Sequence, residues 1–312
     1  MIEVKNLTKR YNKFSAVKNI SFKIAKGEIV GFLGPNGAGK TTTMKIISCF
    51  MPCTEGEVVI DGLNISEDSF EIRKKIGYLP ENIPLYPEIS IQDYLKFIGK
   101  IKGVDNKKIN SRIEEVMSIC GIIDVRKKLC GRLSKGYKQR VGFAQAIIHN
   151  PPILILDEPT IGLDPKQIIE MRNLIKSLAG THTIILSTHI LPEVSMTCDR
   201  VIIINEGSIA AIDTPENLTS QLNISSQIFI QIKGDEDKVK EIFKTIPEIS
   251  MVELKDKSNE KLSFIIDCVK GVDIRDKIVK KLVEENISIF EIKYMDVSLE
   301  EIFLKIIMQE AV

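Results

Sequence analysis

The chain has 312 residues, 44% of them hydrophobic, and its 43 Lys/Arg nearly balance its 42 Asp/Glu for a net charge of +1. That balance excludes attraction to nucleic acid or to an anionic membrane surface through overall charge, and the length predicts two domains. Scattered cysteines (Cys49, Cys53, Cys120, Cys130, Cys198 and Cys268), the lack of an apolar run near the roughly 18 residues of a spanning helix, and an N-terminus without a signal-peptide core predict a soluble intracellular protein. Any membrane association is then expected through a partner. Charge also divides the chain: residues 1–219 hold 29 Lys/Arg against 24 Asp/Glu, and residues 220–312 hold 14 against 18. The shift predicts a boundary near 215–225.

Residues 1–26 alternate short strand-like runs with turns, and Tyr11 is expected in the turn between them. An aromatic there could stack on an adenine ring or be an ordinary hairpin tyrosine. Residues 28–33 (E-I-V-G-F-L) predict a buried strand, and G-P-N-G-A-G-K-T-T follows at 34–42. Gly34, Gly39, Lys40 and Thr41 fit the frame of a phosphate-binding loop: glycines free backbone N–H groups to turn toward phosphate oxygens, a lysine reaches the β/γ-phosphates, and a hydroxyl serves Mg²⁺. A helix expected over 40–50 places the phosphates at its positive N-terminus.

Residues 56–63 predict a strand ending in an Asp-Gly turn, 71–76 a helix end, and 76–80 a buried strand that delivers Glu81. A proline-rich stretch leads to helical spacing at 91–101 and 106–120, so about 81–130 forms a helical insert in an α/β core. Ser134 predicts an N-cap for the helix that follows; this is either a capped helix in a basic segment or a second anion-binding helix terminus. Residues 153–158 (I-L-I-L-D-E) predict a buried strand ending in two carboxylates, where a phosphate-loop fold places a Mg²⁺-linked aspartate, Asp157. Glu158 follows and can polarise a water. A helix over 166–179, a buried strand over 183–188 ending at His189, and a hairpin over 200–212 complete this part.

The order of these segments settles a resemblance. The loop at 34–41, L-S-K-G-Y at 133–137, I-L-I-L-D-E, G-L-D at 162–164 and S-T-H at 187–189 together resemble the ATP-binding subunit of an ABC transporter over about 1–215. The strings G-Y-L-P-E-N and L-S-K-G-Y-K-Q-R-V-G are similar to the ABC-2 type exporter group, including its gliding-motility, multidrug and copper-processing ATPases. The resemblance implies an α/β P-loop cassette that binds ATP and Mg²⁺, works as a homodimer, and couples to an integral membrane permease at the inner face of the cell membrane, with no nucleic-acid partner. It implies Tyr11 against adenine; Gly34, Pro35, Asn36, Gly37, Ala38, Gly39, Lys40, Thr41 and Thr42 around the phosphates; and Thr41, Glu81 and Asp157 toward the metal. It further implies Glu158, His189 and Lys40 in catalysis, Asp164 as the coupling residue, and Ser134, Lys135, Gly136 and Tyr137 facing the nucleotide of the opposite subunit. Three positions depart from the family pattern: Glu81 in place of glutamine, Lys135 in place of glycine, and Tyr137 in place of glutamine. A soluble ABC ATPase acting on ribosomes or DNA would carry two cassettes or a long coiled coil, and a P-loop kinase would lack the 133–137 and 187–189 segments.

After a linker at 216–225, the order β-α-β-β-α-β over 226–312 predicts a small α+β ferredoxin-like accessory domain. A last amphipathic helix is expected at 299–307. A regulatory or dimer-stabilising role is what the resemblance implies; no chemical motif appears there, and a domain that only adds interface area is the plainer reading.

Overall fold

The computed structural model describes residues 2–222, 225–258, 261–269 and 273–295. The helix expected at 299–307 lies outside the described residues. The chain divides into two compact units at Pro215 and Glu216.

The first unit is built on two sheets. In the antiparallel one, β1 (Ile2–Tyr11) pairs with β2 (Phe14–Ile24) and with β4 (Glu55–Ile60), which in turn pairs with the short β5 (Leu63–Asn64). The other is a six-stranded sheet that contains β3 (Ile29–Leu33), β6 (Ile76–Leu79), β7 (Ile153–Asp157), β8 (Thr183–Thr188), β9 (Arg200–Asn205) and β10 (Ser208–Asp213) in the order β10-β9-β3-β8-β7-β6. All its pairings are parallel except that of β10, which runs antiparallel at one edge. Every residue of β3, β7 and β8 is buried, which is why these strands read as unbroken apolar runs and not as alternation: a parallel sheet covered on both faces has no wet side. Apolar residues of both sheets share one core, with Ile2, Val17 and Val58 from one and Phe32, Ile155 and Ile202 from the other.

Helices follow the strands. α1 (Lys40–Ile47) stops three residues before the expected end, because Cys49 turns left-handed (φ 57°) and Phe50 N–H closes onto the Lys45 carbonyl at 2.8 Å. α2 (Ser69–Lys75) precedes β6. In the helical stretch, α3 (Ile91–Ile101) starts at its Ser90 cap, and α4 (Ile109–Ile119) is tied to α5 (Lys135–Ile147) by Arg112, whose guanidinium donates to the Ile147 and Ile148 carbonyls at 2.6 and 3.0 Å. α6 (Pro165–Ser177) follows β7. A further helix, α7 (Leu191–Thr197), was not anticipated: it is only seven residues long and has a proline at its second position, so it lacks a readable period. Tyr11 is the last residue of β1, paired with Phe14, and the turn is made by the two residues after it, where Asn12 takes φ 53°.

In the second unit, α8 (Pro215–Leu222) covers most of the stretch read as a linker. Then come β11 (Ser225–Lys233), α9 (Glu236–Lys244), β12 (Ile249–Ser258), β13 (Lys261–Val269), α10 (Arg275–Glu284) and β14 (Ser288–Met295). The antiparallel sheet runs β12-β13-β11-β14, the ferredoxin-like order. Ile228, Ile230 and Ile232 of β11 alternate onto one face and bury against Val239 and Phe243 of α9 and Ile278 and Leu282 of α10.

Candidate nucleotide site

The turn between β3 and α1 is held open by close packing. Gly39 has φ 105°, and a Cβ there would come within 2.5 Å of the Ala16 carbonyl; a Cβ at Gly34 would strike the Ile204 carbonyl. Both positions therefore exclude any side chain. Lys40 is buried at the first position of α1, and its ammonium donates to the Gly34 carbonyl at 2.7 Å and the Pro35 carbonyl at 3.1 Å. It also lies 3.5 Å from Glu158 Oε1.

Glu158 follows β7 in the left-handed region (φ 50°), which aims its buried carboxylate back over the loop. Its amide is fixed by Ser187, whose carbonyl and hydroxyl accept from it at 3.1 and 3.0 Å. His189, at the end of β8, places Nδ1 3.0 Å from Glu158 Oε2. A carboxylate only accepts, so Nδ1 carries the proton in this contact. Lys40, Glu158 and His189 thus form one array, brought together from the start of α1 and the carboxyl ends of β7 and β8. Gln139 of α5 donates to the Glu158 carbonyl at 3.4 Å, linking that helix to the same turn.

Asp157 is buried at the carboxyl end of β7. Its Oδ1 accepts from Ser187 at 2.6 Å and from Thr41 at 3.1 Å, while Oδ2 is buried without a hydrogen-bond partner. Burial pushes this carboxyl up from the usual range, against the pull of the Ser187 and Thr41 hydroxyls, and the nearby Glu81 and Glu158 push the same way.

An open cleft of about 630 Å³ joins these parts. Tyr11 and Phe14 stand at one end, Asn36, Gly37, Gly39, Lys40, Thr41 and Thr42 form the floor, and Glu81, Glu158 and His189 the far wall. All of these but Phe14 were singled out in the sequence, whereas Gly34, Pro35, Ala38 and Asp157, also singled out, are not among the cleft's lining residues. Phe14 and Ser187 had not been singled out. An aromatic three residues beyond Tyr11 across a tight turn was the signal for the first. For the second it was a hydroxyl in register with Asp157 on the adjacent parallel strand.

The segment 134–137 and Asp164 do not line this cleft. Ser134 caps α5, accepting from Tyr137 N–H at 3.4 Å, and Asp164 caps α6, accepting from Gln167 N–H at 2.9 Å. Ser134 and Lys135 are exposed, but Gly136, expected to face outward, is buried, because Gln167 of α6 lies across it. The Lys135 side chain runs along its own subunit against Gly162. The Tyr137 hydroxyl donates to Asp124 at 3.0 Å. Of the two departures from the family signature, Tyr137 thus ties α5 to Asp124 by a hydrogen bond, and Lys135 lies against the loop at Gly162.

A strand, a glycine loop whose lysine is held at a helix N-terminus, and a buried aspartate on a parallel strand define a P-loop nucleoside triphosphatase. The relatives narrow the class. Residues 17–161 match the family model described as ABC transporter. The chain is 33% identical to the linearmycin resistance ATP-binding protein LnrL of Bacillus subtilis, over 98% of each chain. It is 35% identical to the bacitracin transport ATP-binding protein BcrA of Bacillus licheniformis, over 98% of this chain and 97% of that one. The dimeric structure of MJ0796, a bacterial ABC transporter cassette, superposes with a TM-score of 0.64 at 30% identity, covering 69% of this chain and 98% of that one. A post-hydrolysis structure of the same cassette with ADP and Pi gives a TM-score of 0.64 at 29% identity, with the same coverage. The chain belongs to the ABC transporter family, as an ATP-binding subunit that hydrolyses ATP.

Proposed function

We propose that two copies of this chain enclose two ATP molecules head to tail and drive an exporter through a separate integral membrane permease at the inner face of the cell membrane. The observation that carries this reading is the split between the cleft, which holds cradle and catalytic groups, and the exposed N-terminus of α5, which lies outside its lining. A relative named for linearmycin resistance supports export as the direction. Among the described residues no helix is long and apolar enough to cross a membrane, in keeping with a recruited permease.

In this reading Tyr11, with Phe14 beside it, stacks on adenine, and the loop amides of residues 34–42 take the phosphates. Lys40 exchanges the Gly34 and Pro35 carbonyls for β/γ-phosphate oxygens. Glu158 orients the attacking water and takes its proton, and His189 steadies the γ-phosphate. Ser134 and the N-terminal amides of α5 contact the partner's nucleotide; Gly136 joins them only where Gln167 shifts. Asp164 lies on the loop that connects the two sites. The donor set fits Mg²⁺: the orphaned Asp157 Oδ2 beside the Thr41 hydroxyl, with Glu81 on the cleft wall, is a carboxylate-and-hydroxyl set of the kind that shares Mg²⁺ with phosphates and water, not an all-protein cage. Thr41 and Asp157 would hold the ion, with Glu81 nearby, and it would supply charge neutralisation at the phosphates.

The test is Glu158→Gln. Steady-state turnover is expected to fall by a factor of about 10² or more, with ATP binding retained and an ATP-dependent dimer seen by light scattering. Loss of ATP binding, or a variant that stays monomeric with ATP, overturns the assignment.

A further inference from the structure

Beside the cleft lies a second cavity of about 490 Å³, whose lining includes Thr41, Glu81, Asp157 and Tyr78. Two buried oxygens of these lining residues lack hydrogen-bond partners: Asp157 Oδ2 and the Tyr78 hydroxyl. The strand register explains why they are near neighbours. Tyr78 of β6 pairs with Ile155 of β7, and Asp157 is two residues further along β7, hence on the same face. One atom is an obligate acceptor, and the other has a proton to give. They do not bond directly, and a cavity of this size has room for water between them.

Packing alone does not account for the hydroxyl. The Tyr78 ring rests against the apolar core, a task phenylalanine performs without leaving a buried polar atom unpaired. We propose that Tyr78 is a positioning residue for Asp157: its hydroxyl donates through one water to Oδ2, fixing the carboxylate that Thr41 and Ser187 already hold at Oδ1. This rests on the reading of Asp157 as a Mg²⁺-facing group. Burial, with Asp157 and Glu81 nearby, pushes the phenol up, in keeping with a hydroxyl that donates.

The test uses the full chain with ADP and Mn²⁺, free Mn²⁺ being followed by electron paramagnetic resonance. Tyr78→Phe is expected to weaken nucleotide-dependent Mn²⁺ binding about tenfold, as loss of an outer-shell partner does. ADP affinity in chelator is expected to stay unchanged, and the melting temperature to hold or rise. Equal Mn²⁺ retention in wild type and Tyr78→Phe overturns the tyrosine's role alone. So does a variant whose Mn²⁺ and metal-free ADP affinities fall together. Wild-type protein that binds ADP but retains no Mn²⁺ overturns the metal-site reading, and the tyrosine's role with it.

Discussion

The two units follow opposite rules. In the second, alternation sorts apolar residues inward, and polar groups on the sheet find partners: Gln227 donates to Asp267 at 2.8 Å and Gln231 to Ser263 at 3.3 Å. In the first, a left-handed glutamate, a buried lysine and a carboxylate with an unpartnered oxygen crowd the strand ends around one cleft. Among the described residues, the five buried side-chain atoms without a hydrogen-bond partner, on Tyr78, His149, Asp157, Thr160 and Glu193, all belong to the first unit. At Lys40, Glu158 and Asp157 the difference is that between sequence chosen for packing and sequence held in a costly arrangement that a bound ligand would complete.

The largest effect that would break this comparison is in the well-satisfied unit. Phe243 and Phe264 meet edge to face, with ring centroids 5.6 Å apart and both rings fully buried. Phe264→Ala is expected to cost about 3–5 kcal/mol of that unit's stability, seen as a lowered transition in calorimetry. ATP affinity is expected to stay within twofold. A matching loss of ATP affinity would mean that the accessory unit serves the cleft and not only itself.

The opposite sign is expected at Asp157, in the lining of the cavity beside the cleft. Because burial raises the Asp157 carboxyl, the folded chain takes up this proton more readily than the unfolded chain. Stability from this group therefore falls as pH rises from the ordinary carboxylate value of 3.8 through the raised one, and the penalty persists at neutral pH. Asp157→Asn removes it. The variant is expected to be more stable than wild type by about 1–3 kcal/mol at pH 7, with the advantage shrinking toward pH 4 and Mg²⁺ stimulation of ATP binding lost. Denaturant melts at several pH values decide the matter; a variant less stable at every pH would mean that the hydrogen bonds from Ser187 and Thr41 outweigh burial.

How much of this was legible in sequence follows the same divide. Loop 34–42, the carboxylates at the end of β7 and His189 were readable, because each requires a fixed residue at a fixed spacing from a buried strand. The βαββαβ order was readable because apolar alternation marks its strands and short helical periods separate them, despite the register shifts in β12 and β14. What could not be read depends on partners far along the chain. Gly136 is covered by Gln167, thirty-one residues on, and Lys135 lies on Gly162 of a different loop. Tyr11 ends a strand because the turn needs only two residues, and nothing local separates a tyrosine at a strand end from one in the turn itself.

A smaller effect sharpens the end of the cleft proposed to take adenine. Tyr11 is 43% exposed and Phe14 64%, so neither owes its place to the core. Substituting either by alanine is expected to weaken ATP binding by about 1–3 kcal/mol, measured by calorimetric titration, with melting temperature in the absence of nucleotide nearly constant. A fall in stability without a change in affinity would return these aromatics to a structural role.

The smallest effect tests the brace on α5. The Tyr137 hydroxyl and Asp124 form a single hydrogen bond near the surface, and Tyr137→Phe removes only that bond. Bonds of this kind contribute about 0.5–1.5 kcal/mol, and water can replace this one, so the lower end is expected. A melting-temperature change of only a few degrees and turnover within about twofold of wild type would mark the bond as local stabilisation of α5. Its neighbour Gln139 reaches the Glu158 carbonyl from the same helix at 3.4 Å, which gives a route for a tilt of α5 to reach the turn that carries Glu158. If turnover falls tenfold while stability barely moves, the tyrosine that replaced an amide in the signature is setting the angle of the helix, and the satisfied contacts of this chain are not all confined to packing.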